Sequence, residues 1–154
     1  MIRSLNQKKS ATAEQILNLS LQAYRIESDL IGGFDIPPLH ETLDEIQTSK
    51  SRFYGCYREA LLAGVIELDG EAEVTINRLV VNPQFFKQGV ATELLDYAKR
   101  TAGRLSVSTA SGNLPAVNLY LKSGFYLVST RDVPPGLTLS TFEYKAALDP
   151  QHSP

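Results

Sequence analysis

The spacing of apolar residues changes along the chain, and the changes divide it into elements. Ile2 to Leu5 reads as a short strand. Ile16, Leu19, Ala23, Ile26 and Leu30 then recur at helical spacing, forming one stripe of an amphipathic helix. Its start is expected at Thr12-Ala13-Glu14-Gln15, which has the spacing of a capping box. The glycines and prolines of Ile31-Gly32-Gly33-Phe34-Asp35-Ile36-Pro37-Pro38 predict a loop, a candidate lid, before a shorter helix over residues 41–48. From Arg52 the pattern turns to strands: Phe53 to Tyr57, Leu61 to Leu68, an Asp69-Gly70 turn, and Glu73 to Val81, an antiparallel meander. That last strand ends in Leu79, Val80 and Val81, apolar on both faces as a central, doubly covered strand requires. A helix over Gln88 to Thr101 buries Val90, Ala91, Leu94, Leu95 and Ala98, and a strand over Leu105 to Thr109 completes a crossover, expected to be right-handed. A helix opening at Asn113 and strands over Phe125 to Thr130 and Leu137 to Ala146 follow.

These elements predict a mixed α/β domain: a central, mostly antiparallel sheet of six to seven strands flanked by about four helices, over residues 1–148, with a disordered tail at 149–154. A chain of 154 residues supports one real core, since domains of this size bury about 70% of the surface their unfolded chains expose. Hydrophobic residues make up 43% and charged residues 21%, ordinary for a globular domain. A net charge of −2 argues against nonspecific nucleic-acid binding, which rests on clustered Lys and Arg. No stretch is apolar enough for a signal peptide or a bilayer span, so no membrane association and a cytoplasmic location are expected. Cys56 is the only cysteine and reads as a buried thiol. His40 and His152 lie too far apart in sequence to seed a metal site, and none is expected.

Chemistry concentrates where the strand ending at Val81 runs through Asn82-Pro83-Gln84-Phe85-Phe86-Lys87-Gln88-Gly89-Val90-Ala91-Thr92 into a helix. Backbone N–H groups at a helix start have no partner inside the helix and carry the positive end of the macrodipole, so they can hold a phosphate. Gly89 and Ala91 permit close approach, while Lys87 adds a cation and Thr92 a hydroxyl. Taken alone, this loop is equally consistent with a plain turn.

A second segment, Asn113-Leu114-Pro115-Ala116-Val117-Asn118-Leu119-Tyr120-Leu121-Lys122-Ser123-Gly124-Phe125, reads as a capped helix stopped by glycine. With both segments in view the chain resembles the GNAT superfamily of acetyl-CoA-dependent N-acetyltransferases. The first matches the family's Q/R-x-x-G-x-G/A pyrophosphate loop on Phe86 to Ala91, and the second its N-x-x-A-x-x-L-Y-x-x-x-G-F helix. Phe86 departs from the pattern, standing where the family usually has Gln or Arg.

The resemblance implies transfer of acetyl from acetyl-CoA to a primary amine, on a small molecule or a protein, in a ternary complex without metal. It implies cofactor contacts from Leu79, Val80, Val81, Phe86, Lys87, Gln88, Gly89, Val90, Ala91, Thr92 and Asn113. Tyr120 would protonate the leaving thiolate, with a core-anchoring aromatic as the alternative, and Asn113 has an N-cap role as its alternative. Positions where some relatives carry a glutamate base correspond to Ser108 and roughly Thr75, which leaves Glu73 acting through water as the candidate base, Glu67 as the second, or an acceptor that arrives already neutral. Glu27, Asp29, Asp35, Glu41, Asp44 and Glu45 form an acidic run beside the implied acceptor cleft, either a rim that attracts a cationic amine or two solvated helix faces. A noncatalytic CoA-binding sensor, use of a longer acyl-CoA, and a homodimer stay open.

Overall fold

The computed structural model describes residues 1–134 and 136–146. The chain runs β1 (Ile2–Leu5), α1 (Ser10–Leu30), α2 (Leu43–Thr48), β2 (Arg52–Arg58), β3 (Leu61–Asp69), β4 (Glu73–Val81), α3 (Val90–Thr101), β5 (Arg104–Ala110), α4 (Leu114–Lys122), β6 (Tyr126–Val133) and β7 (Leu137–Lys145), with short 3₁₀ turns at Pro37–His40 and Pro83–Phe85. The seven strands form one sheet in the order β1-β2-β3-β4-β5-β7-β6. Every neighbouring pair is antiparallel except β4 and β5, the two strands joined through α3. The mixed α/β class, strand number and helix number agree with the expectation. The tail expected from Asp149 lies outside the described residues.

Two apolar clusters cover the two faces. One packs Leu94, Leu95 and Ala98 of α3 and Tyr120 of α4 against Ile66, Ile76, Leu105 and Phe142. The other packs Ala13, Ile16 and Leu19 of α1 and Ile46 of α2 against Phe53, Val65 and Val80. Gly64 lets α3 lie close on β3, because a Cβ there would meet Val90 Cγ1 at 2.6 Å.

The strand β4 does not keep one face throughout. Ile76 pairs with Leu68 and Arg78 with Glu67, leaving Asn77 as an extra residue, a β-bulge. Val74 and Ile76 therefore face the α3 and α4 side, whereas Val80 faces α1. The bulge also ends the parallel pairing: residues 73–76 pair with residues 104–107, and beyond it β4 and β5 have no shared ladder. From there β5 stays with β7 as far as Ala110, so the sheet opens between the ends of β4 and β5.

Several boundaries differ from the sequence reading by a few residues, and the starts of α1 and α3 differ for a visible reason. Helix α1 starts at Ser10, with Lys9 at the N-cap and no side-chain cap, so Thr12 sits inside the first turn. A turn in which Asn6 Oδ1 accepts from the Lys8 N–H at 3.1 Å starts the helix early. A capping box is found instead at α2, where Thr42 Oγ1 accepts from the Glu45 N–H at 3.2 Å and Glu45 Oε1 from the Thr42 N–H at 3.0 Å. Helix α3 begins at Val90 rather than Gln88, because Lys87 (φ 62°) and Gly89 (φ 77°) adopt left-handed backbone that no right-handed helix contains.

Candidate active site

The loop from β4 to α3 is anchored at its start. Asn82 donates its N–H to the Ala63 carbonyl at 2.8 Å, and its Oδ1 accepts from the Gln84 N–H at 3.0 Å. Beyond Phe86 the two left-handed residues turn the chain so that α3 starts at a glycine N-cap with no side chain to accept a hydrogen bond. Among the described residues, the backbone N–H groups of residues 87–92 find no acceptor in the protein. A Cβ built on Gly89 would meet nothing within 4 Å, so the space beside that residue is open. Six unpartnered donors, the macrodipole of a 12-residue helix and Lys87 make a stretch of backbone suited to cradling an anion.

The cradle is one end of a cleft of about 620 Å³ that continues along β4 past Leu79 and Val81 to α4. Below the bulge the β5-facing edge of β4 has no strand partner, so its main-chain groups are free to bond an extended ligand arm as an added strand would. All the predicted cofactor contacts border this cleft except Gln88. Gln88 turns away: its carbonyl accepts from Arg58 Nη2 at 3.2 Å and its side chain reaches back to the Gln84 carbonyl. Phe86 is 45% exposed at the mouth, an apolar edge where a polar side chain was expected from the family pattern.

Asn113 caps α4, its Oδ1 facing the Ala116 N–H at 3.4 Å, and it also lines the cleft. Two turns on, Tyr120 is 5% exposed and packs against Phe125 and Phe142 at centroid distances of 5.6 and 5.8 Å. The helix is closed by a Schellman arrangement, Phe125 N–H to the Tyr120 carbonyl at 3.0 Å and Gly124 N–H to Leu121 at 3.2 Å, with Gly124 at φ 89°. Burial, reinforced by the charge on Glu27, pushes the Tyr120 phenol above its ordinary value and keeps it protonated near neutral pH. Tyr120 therefore both anchors the helix and lines the cleft.

The candidate bases fare differently. Glu73 sits at the start of β4, at the paired end of β4 and β5, with a side chain 77% exposed and bonded to Arg104 Nη1 at 3.1 Å. It is not in the cleft, because the sheet opens at the other end of the strand. Glu67 is buried and accepts from Arg78 Nε at 3.0 Å, and Arg78 also bonds Ser20 Oγ at 2.9 Å and Glu41 at 2.8 Å. Ser108 Oγ lies 2.7 Å from Thr141 Oγ1 on the neighbouring strand. Much of the acidic run is also occupied: Asp35 pairs with His40 at 2.7 Å, Glu41 with Arg78, and Glu45 with the cap of α2.

Two residues of α1 reach the cleft: Tyr24, which the sequence reading left out, and Glu27, which it placed only in the acidic run beside the acceptor cleft. Tyr24 and Glu27, three apart and so on one helix face, both line it. Burial pushes the Tyr24 phenol up to about 12, against the opposing pull of Arg78. It also raises the Glu27 carboxyl, partly offset by a hydrogen bond from the Asn113 side chain. For Tyr24 the available signal was its place beside Ala23 on the apolar stripe.

The family model described as "Acetyltransferase (GNAT) domain" matches residues 36–146. The chain is 38% identical over 146 residues to the UPF0157 protein YqkA of Bacillus subtilis (strain 168), covering 92% of this chain and 43% of that protein. It is 33% identical over 91 residues to a streptothricin acetyltransferase from Escherichia coli, covering 54% of this chain and 52% of that one. The chain thus spans about half the length of the curated relatives it matches. Its fold is similar to that of an aminoglycoside 6'-N-acetyltransferase complexed with coenzyme A, with a TM-score of 0.72 and 14% identity over 97% of this chain and 99% of that one. With the pyrophosphate-type loop, the opened sheet and the helix carrying Tyr120 in place, and the matched model spanning most of the chain, this protein belongs to the GNAT acetyltransferase family.

Proposed function

We propose that this protein transfers the acetyl group of acetyl-CoA to a primary amine by direct attack in a ternary complex. The observation that carries this reading is the row of unpartnered N–H groups at residues 87–92, continuous through the free edge of β4 with the buried phenol of Tyr120. The diphosphate lies on the cradle and the pantetheine arm along Leu79 to Val81. A β4 N–H near Leu79 polarises the thioester carbonyl and stabilises the oxyanion of the tetrahedral adduct. Placement of amine and thioester together converts a two-body reaction into an effectively unimolecular one. Tyr120 gives its proton to the departing thiolate. Cys56 is fully buried on β2, its Sγ bonded to Glu93 at 2.6 Å and outside the cleft, which supports direct attack over a covalent acetyl-enzyme.

Calorimetry with coenzyme A tests the cradle, and a panel of cadaverine, spermidine, lysine, kanamycin, streptothricin and peptide amines tests the reaction. Binding of coenzyme A by the wild-type protein, its loss in Gly89→Glu, and thiol release with at least one amine are expected. Tight binding with no turnover across the panel would favour the noncatalytic sensor.

A further inference from the structure

Alkylamines enter any aqueous active site largely as ammonium ions, which are not nucleophiles, so the transfer needs a group that accepts a proton before attack. The positions where the family pattern would place that group carry Thr75 and Ser108, Glu73 lies at the wrong end of its strand, and Glu67 is bound to Arg78. Among the described residues lining the cleft, one carboxylate remains, Glu27 of α1. It is half-buried, and among the described residues it forms no ion pair, in contrast to Asp35, Glu41 and Glu67. It lines the cleft together with Tyr24 of α1 and Asn113 and Tyr120 of α4, the residues beside which the acetyl-transfer reading places the thioester. The other titratable groups facing that space are Tyr24 one turn earlier on α1, Tyr120 and Lys122 from α4, and Lys87 from the loop before α3.

We propose that Glu27 is the catalytic proton acceptor for the attacking amine, a role that rests on the acetyl-transfer reading. The carboxylate takes one proton from the incoming ammonium, leaving a neutral amine. The amine nitrogen forms a bond to the thioester carbon, and the carbonyl electron pair moves to oxygen. The adduct collapses with cleavage of the C–S bond, and the thiolate takes the proton of Tyr120. A second proton leaves the adduct nitrogen and restores the phenol, while the proton on Glu27 passes to solvent. The sum is ammonium plus acetyl-CoA giving amide, coenzyme A and one proton. Burial that lifts the Glu27 carboxyl toward neutrality makes it a stronger base than an exposed glutamate.

The test compares wild-type protein with Glu27→Gln and Glu27→Asp, using acetyl-CoA, the panel amine of highest turnover, and the aminooxy analogue of that amine, which is already neutral at pH 7. Glu27→Gln is expected to bind acetyl-CoA as the wild type does, to lose about 100-fold or more in kcat with the alkylamine, to lose the acidic limb of the pH profile, and to keep its rate with the aminooxy compound. Glu27→Asp is expected to recover part of the alkylamine rate and the limb. Equal losses with both nucleophiles, or a wild-type limb that survives in Glu27→Gln, would overturn the assignment while leaving the acetyltransferase reading standing. A wild-type protein that binds acetyl-CoA and acetylates no panel amine would overturn both.

Discussion

At the scale of single residues, Tyr120 and Glu27 illustrate how burial sets protonation. Tyr120 is enclosed by Phe125 and Phe142, and its phenol is held protonated far above neutrality. Tyr120→Phe preserves those ring contacts and removes only the proton, so kcat is expected to fall by about 100-fold or more with the Kd for coenzyme A unchanged. Thiol-release kinetics and calorimetry on the same preparation check the two halves. For Glu27 the folded state holds its proton more tightly than the unfolded chain. The folded protein then binds more protons across that interval, so this group's contribution to stability declines as pH rises from the unfolded carboxylate value through the raised folded value. Glu27→Gln is expected to flatten that decline in urea-unfolding midpoints measured from pH 4 to pH 8. The sequence carried Tyr120 within a recognisable helix motif. Glu27 was visible only as one member of an acidic run, because nothing in a linear chain shows which carboxylates will meet Arg78 or a helix cap and which will not.

At the scale of elements, β4, α3 and α4 were legible because each obeys a local rule. Strand β4 was found from Glu73 to Val81, and Asn113 was placed at the start of α4 by its capping chemistry. The misplaced start of α1 has a physical cause: Thr12 and Gln15 have the right spacing, but the turn at Asn6 had already fixed the backbone. The left-handed residues before α3 follow the same logic at Gly89, where glycine adopts φ 77° without strain. Gly89→Ala is expected to destabilise the fold by about 1 kcal/mol, since an L residue in that region carries a penalty of that size. Gly89→Glu is expected to fold while placing a carboxylate in the diphosphate position, and coenzyme A titration separates the two effects. The choice of Glu73 as a base shows the limit of such rules. Alternation gives the face of a strand but not which end of it opens.

For the whole molecule, one buried arginine ties together parts far apart in the chain. Arg78 is 6% exposed and joins β4 to Glu67 of β3, Ser20 of α1 and Glu41 beside the 3₁₀ turn at Pro37–His40, with its guanidinium also over the Phe53 ring at 5.4 Å. Removing one member of a buried ion-pair set leaves the others uncompensated, so Arg78→Ala is expected to destabilise by about 3–5 kcal/mol in urea unfolding. The double variant Arg78→Met with Glu67→Met is expected to recover part of that loss, because one unpaired charge leaves with its partner while Glu41 stays. No amino-acid pattern announced this network. It exists because three segments converge on the α1 face of the sheet, a property of topology rather than of local sequence. Among the described residues no helix is long and apolar enough to cross a membrane.

Asn77 has no chemistry assigned to it, yet the doorway for the ligand depends on its being there. Deleting it would restore unbroken alternation along the strand and let the parallel ladder run on to the strand's tip, closing the gap like a zip. Arg78 would keep its place opposite Glu67 and Leu79 its own side of the sheet, so the change would fall on the backbone alone. One surplus amino acid thus separates a wall from an entrance, and shortening the chain at that point should erase binding more thoroughly than altering any side chain that touches the guest.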